Sequence, residues 1–210
     1  MASNFASVAF TEGIKAEQER QGSRRQYERM AESGPDTNRF SAYEREFIEA
    51  RDSFYIATVT ETGWPYVQHR GGPKGFVKVL DDKTLGFADF RGNRQYVSVG
   101  NLKHDDRVAI IWVDYPHQTR LKVLGRAEIV ERTAGAEWFD QLKLPGYPAK
   151  VERAILIHLE AFDWNCQQHI TPRWTAQELG PLRARVAELE AENQALREEI
   201  SNGAAEAEKP

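Results

Sequence analysis

Between Ser53 and Phe162 the chain repeatedly forms short runs of β-branched and aromatic residues, most of them at hairpin spacing and with only short helices between. Phe54-Tyr55-Ile56-Ala57-Thr58-Val59-Thr60 leads through a Thr62-Gly63-Trp64-Pro65 turn into Tyr66-Val67-Gln68-His69-Arg70. A glycine-rich break, Gly71-Gly72-Pro73-Lys74-Gly75, precedes Phe76–Leu80, and Asp81-Asp82-Lys83 turns the chain into Thr84–Asp89. Val108–Val113, Thr119–Val130 and Ala154–Phe162 are further extended runs, with one helix read over Thr133–Leu142. Parallel strands need crossovers of a dozen or more residues, usually helical, so a doubly wound sheet is excluded. At least six strands at hairpin spacing predict a closed or nearly closed antiparallel barrel with flanking helices.

The ends of the chain read differently. Residues 11–33 are polar and helix-friendly with few apolar anchors, which predicts one surface helix, followed by the turn-rich connector Ser33–Asn38. Ser41 with Glu44 three places on forms a capping-box signature for a second helix ending near Asp52. From Leu179, apolar positions step by three and four through Leu182, Val186, Leu189, Leu196 and Ile200, with Asn193 in the same series. This is a heptad seam with Val186, Asn193 and Ile200 at a and the leucines 182, 189 and 196 at d, which favours a parallel two-stranded coil. Across such a coil Arg185 faces Glu190 and Glu192 faces Arg197. The alternative is an amphipathic helix packed on its own domain. The expected organisation is an N-terminal helix and connector over 1–40 and a barrel over 41–176. A coiled-coil dimerisation helix over 177–202 and a disordered tail over 203–210 follow.

A net charge of −4 argues against a general nucleic-acid binder. The acidic surplus lies in the first 50 and last 30 residues, so basic clusters in the middle are local. There is no apolar run long enough to span a membrane and no signal-peptide build at Met1–Phe10, and the single Cys166 excludes an internal disulfide framework. A cytoplasmic protein is expected, with no nucleic-acid or membrane partner and no metal.

The richest chemistry lies between Gln68 and Asn101. His69-Arg70-Gly71-Gly72, Phe87-Ala88-Asp89 and Arg91-Gly92-Asn93-Arg94-Gln95 occur where the backbone is small or turning and basic side chains are close. Glycines let backbone N–H groups approach an anion, arginine adds a bidentate charged fork, and a helix starting near Asn93–Gln95 would add its positive end. The competing reading is a pair of surface loops with solvated charges. No Gly-x-Ser-x-Gly, His-Glu-x-x-His or Walker-type loop is present.

Two stretches carry a resemblance: FYIATVTETGWPYVQHRGGPKGFVKVLDDKTLGFADFRGNRQYVSVGNL from Phe54 and FDWNCQQHITPRW from Phe162. They resemble the pyridoxamine 5′-phosphate oxidase-like family of FMN-binding split barrels. The resemblance implies a homodimer of six-stranded antiparallel split β-barrels with FMN in clefts at the subunit interface, acting on a small-molecule substrate. By position, it implies that Arg70 and Lys78 approach the flavin and its phosphate, that Phe87 and Ala88 border the cofactor, and that Asn93 and Arg94 grip the phosphate. The next basic residue of the oxidase pattern is Gln95 here. Arg120 stands where the oxidases place a glutamine near the flavin. Asn165-Cys166-Gln167-Gln168-His169 is similar to a segment that closes over the site, with Trp164 beside it as a ring able to stack on a flavin.

His169 is the candidate catalytic residue, as a proton donor or substrate hydrogen-bonding group, against a structural role satisfied by backbone. His69 borders Arg70 and is carried with the cofactor group, as is Asp89. The oxidases end in an arginine-bearing segment, whereas this chain ends in a heptad helix, so the resemblance supports FMN binding more than vitamin B6 oxidation. The expected activity is a flavin-dependent oxidoreduction. Its rivals are a non-catalytic FMN-binding or redox-sensing module, a barrel using deazaflavin or heme, and a barrel that only supports a functional coil.

Overall fold

The computed structural model describes residues 5–133, 136–164 and 168–207. Two compact units are present: the first holds the chain to Asp114 and Gln118–His169, the second Tyr115–His117 and the chain from Ile170. Among the described residues, no helix is long and apolar enough to cross a membrane.

Seven strands form one antiparallel sheet in the first unit: β1 (Ser53–Val59), β2 (Pro65–Gly71), β3 (Val77–Val79), β4 (Thr84–Phe90), β5 (Arg107–Asp114), β6 (Thr119–Glu131) and β7 (Val151–Trp164). Their order is β2-β1-β5-β6-β7-β4-β3. The expectation of a six-stranded barrel is corrected in two respects. There is a seventh strand, and β2 and β3 remain as two unpaired edges, so the sheet is not closed. The Gly71–Gly75 break separates β2 from a β3 of only three residues.

The sheet nevertheless wraps one core. β1 and β4 have three strands between them in the sheet. In a flat sheet they would lie about 19 Å apart at about 4.8 Å per strand. The rings of Phe54 on β1 and Phe87 on β4 meet edge to face with centroids 5.1 Å apart, which requires the sheet to curl through most of a turn. Phe76 stacks on Phe54 at 5.7 Å and Trp112 leans on it at 5.4 Å, making an aromatic centre that excludes water. Alternation places these side chains. Along β5, Val108, Ile110 and Trp112 are buried while Ala109, Ile111 and Val113 face outward. The curl is sharpened at the irregularity between Leu124 and Gly125, where a Cβ on residue 125 would stand 2.6 Å from the His158 carbonyl oxygen.

The N-terminal region is three helices, α1 (Phe5–Ala9), α2 (Glu12–Arg20) and α3 (Arg24–Ser33), where one was expected over 11–33. Gly22 causes the break: at φ +74° it takes the left-handed turn that ends α2. Ser23 N–H then donates to the Gln18 carbonyl at 2.8 Å and Gly22 N–H to that of Glu19 at 3.0 Å.

The helix expected after Ser41 is α4 (Ala42–Glu49), with its capping box formed. Glu44 does more than cap. One carboxylate oxygen accepts from the Ser41 N–H at 2.9 Å, the other from the Trp164 indole N–H at 2.9 Å. Burial pushes this carboxyl upward, but hydrogen bonds from Ser41 and Trp164 outweigh that and hold it below its ordinary 4.5. The unfolded chain therefore takes up this proton first as pH falls. The contribution to stability is intact above the unfolded value and is lost as pH drops through the lowered folded one. Glu44→Gln is expected to show a shallower fall in urea midpoint between about pH 7 and about pH 3 than the unaltered chain. Equal falls would remove Glu44 from the acid response.

Candidate functional site

A cleft of about 210 Å³ opens where β2, the end of β4 and α5 (Val97–His104) converge. Arg70 enters from β2, Asp89 and Phe90 from β4, and Asn93 to Ser98 from the connecting loop and the first turn of α5.

The loop is shaped by its backbone. Arg94 at φ +64° and Tyr96 at φ +54° are both left-handed, which costs of order 1 kcal/mol or more for residues with a Cβ and must be held by surrounding structure. Part of that hold is visible. The Asn93 side-chain oxygen accepts from the Gln95 N–H at 3.2 Å, and the Tyr96 hydroxyl donates to Glu152 at 3.2 Å. Arg153 lies over the Tyr96 ring at 5.3 Å. The helix therefore starts later than the expected Asn93–Gln95, at Val97, and its first residues Val97, Ser98 and Val99 line the cleft. A hydrogen bond with Tyr96 raises the Arg94 pKa further, so this exposed guanidinium is fully charged.

Beneath the loop lies a buried ion triad. Asp89 receives Arg70 on one oxygen at 2.5 Å and Arg153 on the other at 2.7 Å, with side-chain exposures of 17%, 5% and 13% for Arg70, Asp89 and Arg153. Arg153 also lies 3.6 Å from the Glu152 carboxylate, so Asp89 and Glu152 together face the two guanidiniums. The Arg70 Nε is buried and has no hydrogen-bond partner among the described residues. Ser98 donates to Gln68 at 2.5 Å beside it. Glu152 completes the wall, its carboxyl held below the ordinary range by the Arg91 hydrogen bond and then by Tyr96.

Of the residues singled out from the sequence, Arg70, Asp89, Asn93 and Arg94 line this cleft. The others lie elsewhere. His69, adjacent to Arg70 on an alternating strand, turns to the other face and meets the Tyr55 ring at 5.4 Å. Phe87 is in the aromatic core, and Lys78 sits half-buried on β3 opposite Gly86. Ala88 borders a second cleft of about 380 Å³, with Phe90, Phe139 and Tyr147 on its walls and Lys143 and Lys150 at its rim. Arg120 is opposite Val113 on β6, its Nε buried without a partner among the described residues. Trp164 packs on Phe47 at 4.7 Å and Tyr43 at 5.1 Å while donating to Glu44. Gln168 and His169 are exposed, His169 at φ +65°. Asn165, Cys166 and Gln167 fall outside the described residues.

Sequence reasoning missed Arg153, Glu152, Tyr96 and Ser98. The apolar run Ala154–Ile157 was the available signal for Arg153, because an arginine beside a buried run on a central strand needs a carboxylate partner.

These residues fit an anionic group with a hydrogen-bonding tail. Arg94, Asn93 and the start of α5 supply charge and donors at the rim, and Arg70 offers a buried N–H below.

Residues 41–156 match the family described as pyridoxamine 5′-phosphate oxidase. No curated protein shows significant sequence similarity to the chain. Solved structures similar to it include HupZ from Group A Streptococcus, at 18% identity over 64% of this chain and 100% of that one, TM-score 0.46. Another is a putative pyridoxamine 5′-phosphate oxidase from Lactobacillus delbrueckii, at 22% identity over 61% and 96%, TM-score 0.44. A third, an F420 reductase, is 25% identical over 59% and 98%, TM-score 0.43. The family match spans more than half of the 210 residues and includes β1 to β6 together with the cleft, so this chain belongs to the pyridoxamine 5′-phosphate oxidase family.

Proposed function

We propose that the chain binds FMN and works as a flavin-dependent oxidoreductase on a small organic molecule, as a cytoplasmic homodimer. The observation that carries this reading is the cleft where Asn93, a fully charged Arg94 and the start of α5 converge with Arg70, whose Nε has no partner among the described residues. In this reading Asn93 and Arg94 hold the phosphate, Arg70 hydrogen-bonds the chain that leads from it, and Asp89 keeps Arg70 aimed. Lys78, the backbone of Phe87 and Ala88, Arg120, Trp164, Gln168 and His69 are the remaining candidate contacts, with His169 as candidate proton donor. Bound FMN would supply the electron and hydride acceptor, while the protein supplies placement and charge.

A second copy accounts for what the cleft cannot cover. In this reading the 210 Å³ cleft takes the phosphate and the chain leading from it, and the ring system lies against another surface. The outer face of the sheet is suited to a partner: Tyr55, Val67, Ile111 and Leu124 line a shallow apolar depression of about 260 Å³, and Tyr55 and Val67 are 41% and 62% exposed. α7 (Gly180–Ala207) is the other candidate contact between copies.

The test is the absorbance spectrum of the purified full chain, before and after heat release of any small molecule. Bands roughly near 370 and 450 nm, with FMN identified by mass in the supernatant, are the expected result. A colourless protein that also fails to take up added FMN overturns the reading, and a released deazaflavin or heme replaces its cofactor.

A further inference from the structure

We propose that α7 pairs with α7 of a second copy as a parallel, in-register, two-stranded coil, a self-recognition element separate from flavin binding. Leu182, Val186, Leu189, Leu196 and Ile200 lie along one seam of this helix, each between 41% and 71% exposed. Five large apolar side chains on a single stripe are more than solvated helices ordinarily carry. The helix is also prepared for nucleation just ahead of the seam. Thr175 and Glu178 form a reciprocal box, Thr175 N–H donating to the Glu178 carboxylate at 2.7 Å and Glu178 N–H to the Thr175 hydroxyl at 3.2 Å.

Charge and polarity select the occupant and its direction. In parallel register Arg185 meets the partner's Glu190 and Glu192 the partner's Arg197, so four attractive pairs flank the seam across the two-fold axis. Asn193 meets its own copy, amide to amide. Turning one helix around, with full overlap of the seam, sets Glu190 against Glu190, Glu192 against Glu192 and Arg183 against Arg197. It also sets Asn193 against an apolar Leu189. Arg185 against Glu199 is the attractive pair of that register, outnumbered by the like-charge pairs, and the polar amide faces leucine, so the antiparallel coil costs free energy relative to the parallel one. In the single chain Arg185 lies 2.9 Å from Glu188, and the Asn193 amide donates to the Leu189 carbonyl at 3.0 Å. Both are exposed contacts that exchange readily for partners across the seam. Roughly three heptads are marginal alone, so an independent contact elsewhere in the dimer would strengthen the coil by raising its effective concentration.

The test uses the full chain with Cys166→Ser, carrying Leu182→Cys or Leu196→Cys, under a mild oxidant on a non-reducing gel. Parallel register brings each d position opposite itself, within the roughly 4.4–6.8 Å Cα separation a disulfide needs. The overlapped antiparallel coil would separate residue 182 from itself by about 27 Å and residue 196 by about 15 Å, at 1.5 Å per residue. Both variants are expected to form covalent dimer well above Ala191→Cys, a position on the outer face. One or neither rising above that control overturns the proposal. In the Leu196→Cys background, Arg185→Glu should lower the yield severalfold and Arg185→Glu with Glu190→Arg should restore it. A yield that ignores the charge reversal overturns the pairing. These readouts do not depend on bound flavin, so they fail or succeed separately from the cofactor reading.

Discussion

Asp89→Ala is expected to melt roughly 6 to 20 °C below the unaltered chain, the largest single-residue effect in the site. The carboxylate stands between two guanidiniums and is 5% exposed, with Arg70 and Arg153 at 17% and 13%. Removing it leaves the nearly buried Arg70 without a carboxylate among the described residues, and Arg153 with only the longer contacts to Glu152 at 3.6 Å and Glu131 at 3.8 Å. Breaking a buried pair from one side costs about 3–5 kcal/mol, a large share of the 5–15 kcal/mol that holds a domain folded. The site is also the join across the open side of the sheet, because Arg70 belongs to edge strand β2 and Asp89 to β4, next to the other edge. Asp89→Asn keeps the shape and one acceptor and should recover only part of the loss. Replacing Asp89, Arg70 and Arg153 together by apolar residues of similar volume should recover more than Asp89→Asn, since no unpaired charge then remains. A Tm for Asp89→Ala within about 2 °C of the unaltered chain would show that the triad does not brace the split.

The triad also explains why the sequence could be read so far and no further. Strands with one face in the core announce themselves by alternation, so β1, β2, β5 and β7 could be placed from residue types alone. What alternation could not supply was that Arg153, more than 60 residues from Asp89, would complete the pair, since partner choice across a curled sheet is a property of register. His69 shows the reverse case: adjacency to Arg70 suggested a shared site, yet neighbours on a strand face opposite ways. Trp164 looked like a ring free to stack on a cofactor, but Glu44, 120 residues earlier, takes its N–H. Gly22 was legible in principle, because a lone glycine in a polar helical stretch is a C-cap signal. The start of α5 was not legible, because it depends on two residues other than glycine adopting left-handed backbone, which propensity disfavours.

That strained loop makes Arg94 the most informative position for the proposed cofactor. Arg94→Ala is expected to weaken FMN binding roughly 10- to 100-fold, the usual range for losing a charge-assisted contact to phosphate. Folding stability should barely move, because the side chain is exposed and its interactions with Tyr96 and Glu152 lie at the surface. Arg94→Lys tests geometry against charge: a point charge without the planar fork should recover part of the affinity but not all of it. Arg94→Gly separates side chain from backbone. It removes the guanidinium and relieves the φ of +64°, so it should bind FMN as weakly as alanine while melting no lower. Flavin fluorescence quenching on titration measures the affinity, and raising the salt concentration should narrow the gap between the unaltered chain and Arg94→Ala, as a contact between two exposed charges requires. Unaltered affinity in Arg94→Ala would take Arg94 out of the phosphate grip and shift that role to the floor, where Arg70 is the remaining cationic side chain lining the cleft.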